Sequence, residues 1–132
     1  MRIELIDKIK KVLSENEKVI FAYLFGSFMK SEIYNDIDIA VYCNEPLENP
    51  FEVTSDLKMA LSEATGLYPD FFDITLINYS LKSDRADSLL ILYEIFNGFL
   101  LLDRNPHLRT SLIEKTSLQL REIEGILKEV FA

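Results

Sequence analysis

The sequence is short of nearly everything that would staple, anchor or positively charge it. Of its 132 residues one is cysteine and one is histidine. No disulfide can therefore form within the chain, and no thiolate–imidazole metal cluster can be assembled. The single thiol, Cys43, ends an apolar run and reads as a small core or edge residue. His107 follows Pro106 at a helix start, a poor place for a catalytic group. No stretch approaches the roughly 20 apolar residues of a membrane span. Residues 1–16 alternate charged with apolar side chains and lack the unbroken core of a signal peptide, so a cytoplasmic address is the expectation. Basic charge is scarce too: 14 Lys and Arg face 22 Asp and Glu, a formal charge of −8. Without a basic stripe a nucleic-acid groove is excluded, whereas an acidic surface suits a basic protein partner.

What is present suffices for one domain over residues 1–132. The hydrophobic fraction, 48%, lies in the globular range. A chain of this length buries about two-thirds of the surface its unfolded form exposes. Residues 2–14 carry apolar side chains at helical spacing. Residues 18–25 (KVIFAYLF) form a strand-length run stopped by Gly26, and 27–35 are polar and turn-like. Residues 36–43 (DIDIAVYC) read as a second strand, so continuously apolar that both faces should be covered. A loop bounded by Pro46 and Pro50 leads to a helix over 51–65 with Gly66 as a left-handed stop. A third strand follows at 71–77, a helix at 83–97 closing at Gly98, and a short strand at 99–102. Asn105 caps a last helix, about 105–131, with Pro106 in its first turn. The order predicts an α/β (α+β) fold: a mixed sheet of about four strands flanked by helices, with a core over about 18–102 and a C-terminal helix.

Chemistry gathers around three aspartates. Asp36 and Asp38 are two residues apart in a strand pattern, so they point the same way about 7 Å apart, while Ile37, Ile39 and Val41 face the core. Side-by-side carboxylates repel unless a cation shares them, and magnesium takes oxygen ligands while keeping waters and substrate phosphates. Read blandly, the pair is a turn cap followed by an exposed strand start. Two features weigh against that. Gly26-Ser27 ends the preceding strand, where glycine permits a sharp turn and close approach of backbone N–H groups to an anion. A helix starting at Ser27 would add further donors. Asp73, in mid-strand beside Phe71 and Thr75, completes a three-carboxylate set if its strand neighbours DIDIAVYC. Such a set suits two ions clamping the attacking and leaving oxygens of a displacement. Its alternative is an edge-strand aspartate facing water.

With these residues assembled, the sequence resembles the polymerase-β-like nucleotidyltransferase superfamily, in its minimal MNT branch. The resemblance rests on Leu24-Phe25-Gly26-Ser27, an eight-residue spacer, Asp36-Ile37-Asp38-Ile39-Ala40-Val41, and Asp73 in the later strand. The spacer is a residue or two shorter than the family's usual one. Phe28 stands where a basic residue often follows the serine, which leaves Lys30 as the nearest cation. The stretch from Leu89 through Tyr93-Glu94-Ile95-Phe96-Asn97-Gly98 to Arg104 is similar to MNT-type antitoxins encoded beside HEPN ribonuclease toxins. The resemblance implies a magnesium-dependent transfer of AMP from ATP to a hydroxyl, a tyrosine of a HEPN toxin. Gly26, Ser27 and Lys30 would bind the nucleotide; Asp36, Asp38 and Asp73 would be catalytic and would hold two Mg2+ ions. A rival from another class is a binding module that neutralises its partner by contact alone, its carboxylates idle.

The last helix repeats apolar residues at Ile113, Thr116, Leu120, Ile123, Leu127 and Val130. That stripe can dock on the domain itself or serve as a seam for a second copy or a toxin subunit. Gly125 weakens the helix by up to about 1 kcal/mol relative to alanine. Tyr34, Tyr79 and Tyr93 read equally as packing residues or as self-modification sites.

Overall fold

The computed structural model describes residues 2–31, 36–83 and 85–131. Helix α1 (Arg2–Glu15) leads into β1 (Val19–Phe25), the one-turn α2 (Ser27–Lys30) and β2 (Ile37–Cys43). Helix α3 (Pro50–Thr65) then crosses to β3 (Phe72–Leu76). Asn49 caps α3, its side chain accepting from Glu52 N at 3.2 Å. Gly66, at φ 79°, ends it in the left-handed conformation, its N–H donating to Ser62 O at 2.9 Å. Both ends follow from residue chemistry: the side-chain oxygen satisfies an orphan helix N–H, and glycine meets no Cβ penalty at positive φ.

After β3 come α4 (Ile77–Lys82), α5 (Ala86–Phe96), β4 (Phe99–Asp103) and α6 (Pro106–Phe131). The sheet order is β3-β2-β1-β4. β1 is antiparallel to β2 and β4, and β2 is parallel to β3, so the sheet is mixed. The parallel pair needs a long crossover, which α3 supplies.

Helices cover both faces of the sheet. One face carries Ile37, Ile39, Val41 and Phe72 against Ile9 and Leu13 of α1 and Val53, Leu57 and Leu61 of α3. The other packs Phe21, Tyr23 and Ala40 against Ile77 of α4 and Leu89, Leu92 and Ile95 of α5. β2 is thus buried from both sides, as its unbroken apolar run required. Cys43 ends it, fully buried, and burial pushes its thiol up to about 11.

The segment after β3 departs from expectation. The strand stops at Leu76, Phe71 belongs to a 3-10 turn (Pro69–Phe71), and residues 77–82 form a separate helix. Asn78 explains the change. Its buried side chain accepts from Cys43 N and donates to Cys43 O, both at 2.9 Å. It thereby continues the β2 ladder with a side-chain amide where β3 has ended. Ser83 is extended (φ −89°, ψ 136°) and separates α4 from α5, which therefore begins at Ala86 rather than at 83.

Helix α6 docks on its own domain through Leu112, Leu120 and Ile123, with Thr116 buried. At its root Arg109 Nε donates to Asp103 Oδ2 at 2.7 Å and Nη1 to Tyr23 OH at 2.8 Å. The expected stripe divides: Leu127 and Val130 are exposed, beyond the docked part. His107 is exposed at the helix start.

Candidate active site

The register of the parallel pair makes the site. Asp38 on β2 and Asp73 on β3 are Cα partners, so their side chains leave the same face on adjacent rungs, about 4.8 Å apart. Ala40, on the same side of β2, packs toward α5, so both carboxyls emerge on the α5 face. They do so near the end of the sheet, where β1 turns into α2 and β2 begins. Asp36 stands just ahead of β2 in a shallow recess of about 320 Å³ shared with Tyr68, Asp70 and Phe71.

Asp38 is lifted from 3.8 to about 6. Burial is the main cause, followed by the charge of Asp73 and a hydrogen bond with it, then the charges of Asp36 and Glu94. Burial and its anionic neighbours together make this carboxyl harder to ionise, and a divalent cation would relieve the repulsion part of that cost. The donors are all oxygens, the set a hard cation prefers. Among the described residues no three acidic groups close into a complete cage. The expected set of three is therefore not closed: the register brings Asp38 and Asp73 together, and Asp36 lines a separate recess.

Gly26 is fixed by this pair. It has φ 78° and ψ −157°, a region essentially restricted to glycine. A Cβ there would strike Asp38 Oδ2 and lie 3.0 Å from its Cγ. The strand-ending glycine thus makes room for the carboxylate, a role its sequence position did not reveal. Ser27 opens α2 exposed, and Phe28 turns into the core. Arg2 of α1 holds α2 from behind, donating to Phe28 O at 2.6 Å and to Ser31 O, with its guanidinium 4.5 Å from the Phe28 ring centroid.

Lys30 does not stand free over the site; its ammonium pairs with Glu94 Oε1 of α5 at 3.3 Å. The two flank a groove of about 570 Å³ that also touches Gly26, Met29, Leu90, Tyr93 and Asn97. Glu94 lies in the antitoxin-like stretch, but the sequence assigns no role to it, since an isolated glutamate on an amphipathic helix reads as solvated surface. Tyr93 and Tyr79 are both exposed, but only Tyr93 reaches this groove. Tyr34 lies outside the described residues.

Residues 7–107 match the family model described as "Polymerase beta, Nucleotidyltransferase". Among solved structures, a chain of a toxin–antitoxin crystal structure with AMP-PNP superposes with a TM-score of 0.65 at 24% identity, covering 96% of this chain and 98% of that one. A chain of an MntA–HepT toxin–antitoxin structure gives 0.61 at 22% identity, with both chains covered completely. A protein from Shewanella oneidensis gives 0.56 at 20%, covering 99% and 98%. At these identities the structural likenesses establish the fold. No curated protein sequence matches significantly.

Proposed function

Since the chain belongs to the polymerase-β nucleotidyltransferase family, we propose that it transfers AMP from ATP to a tyrosine hydroxyl of a cognate HEPN-type toxin and acts as its antitoxin. The observation that carries the catalytic reading is the Asp38–Asp73 register with Gly26 packed beneath Asp38. Likeness to toxin–antitoxin structures, one of them with AMP-PNP, supports the partner and the nucleotide.

In this reading Asp36, Asp38 and Asp73 hold magnesium, which supplies neutralising charge for the phosphates. The Gly26 backbone, the Ser27 hydroxyl and the Lys30 ammonium bind the outer phosphates. Asp73 takes the proton of the acceptor hydroxyl, whose oxygen forms a bond to the α-phosphorus in line as the bond to pyrophosphate breaks. Positioning and charge compensation do most of the work.

Intact-mass measurement of a co-expressed HEPN partner, incubated with this chain, ATP and magnesium, tests the proposal. The expected result is added AMP with the wild type and none with Asp38→Asn. The exposed Leu90, Ile126, Leu127 and Val130 favour a second reading, neutralisation by contact alone. Unmodified partner in a stable complex, still neutralised by Asp38→Asn, would establish that one instead.

A further inference from the structure

Lys30 and Glu94 come from elements far apart in sequence and meet at the mouth of the candidate site, beside Gly26. We propose that Glu94 is the resident counter-ion a triphosphate must displace from Lys30, a positioning residue that sets the nucleotide affinity of the site. The inference rests on the reading that Gly26, Ser27 and Lys30 take the phosphates.

Both backbones are anchored, so the exchange is a side-chain rotation. Arg2 ties down the Phe28 and Ser31 carbonyls of the α2 turn, and α5 is seated by Leu92 and Ile95 in the core. The pair itself is solvated: the side chains are 71% and 43% exposed at 3.3 Å. An ion pair of this kind is weak enough for a polyanion to break. Glu94 therefore opposes an incoming triphosphate by occupying the ammonium. Glutamine at 94 keeps the shape and removes the charge that holds it.

The test is calorimetric binding of a non-hydrolysable ATP analogue, and separately of inorganic triphosphate, to the full chain with magnesium. Glu94→Gln should tighten both by about two- to fivefold, the range that exposed pairs cover. Lys30→Ala should weaken both, and in that background Glu94→Gln should lose most of its effect. Weaker or unchanged binding in Glu94→Gln overturns the inference, as does a full effect persisting without Lys30. A wild-type chain that binds neither probe removes the phosphate-site reading and this inference together. Binding by wild type with no response to Glu94→Gln removes the inference alone.

Discussion

Replacing Gly26 with alanine tests how the site is built, because the cost has two separable parts. The backbone at φ 78°, ψ −157° is costly for any residue with a Cβ, about 1–3 kcal/mol. The new methyl also collides with Asp38 Oδ2 and sits 3.0 Å from Cγ and 3.3 Å from Cβ of the same residue. Oδ2 is the end of a half-exposed side chain that can turn aside, so the contact adds about 1–2 kcal/mol, for a total of roughly 2–5 kcal/mol. That is tolerable against the 5–15 kcal/mol of a typical domain, so the variant should fold. Asp38→Ala removes Oδ2 and Cγ and leaves only the 3.3 Å contact. In that background Gly26→Ala should cost less by at least about 1 kcal/mol, a coupling that a double-mutant cycle in urea resolves. Equal costs in both backgrounds would refute the packing of Asp38 on Gly26. In the otherwise wild-type chain the displaced carboxylate should also abolish magnesium-dependent nucleotide binding.

Three further outcomes are expected. Asp38 has a folded value near 6, above its usual 3.8, so between these values the folded chain binds the proton more tightly than the unfolded one. Stability from this group is full below about pH 4 and lost as pH rises through 6. Asp38→Asn should flatten that dependence and raise metal-free stability at pH 7 by about 1 kcal/mol, a common trade at functional sites; thermal melts across pH check it. Asn78→Ala should cost about 2–4 kcal/mol in urea denaturation, because the Cys43 N–H and C=O both lose their partner. Gly125→Ala should stabilise α6 by up to about 1 kcal/mol, since a Cβ there meets nothing within 4 Å; helicity and melting temperature report it.

Most elements were legible because their signals are local. Hydrophobic period separated strands from helices, and Gly66 and Asn105 act within a few residues of the helix ends they cap. The boundary at Leu76 was not legible. An apolar Ile77 continues a strand pattern, and only the pairing of Asn78 with Cys43, 35 residues away, turns the chain into a helix. The division of α6 was hidden too, since its apolar period does not say where the sheet ends beneath it.

For the candidate site, the sequence by itself determined which groups are on offer. A glycine-serine turn and aspartates at alternate strand positions supply acidic oxygens next to a glycine, because strand alternation and residue type are properties of short segments. Tertiary structure alone decided the register that puts Asp38 opposite Asp73, the burial that lifts Asp38, the need for glycine beneath it and the meeting of Lys30 with Glu94. Each of these depends on how separate elements pack. A one-residue slip of β3 against β2 would turn Asp73 to the opposite face of the sheet while leaving the sequence motif unchanged.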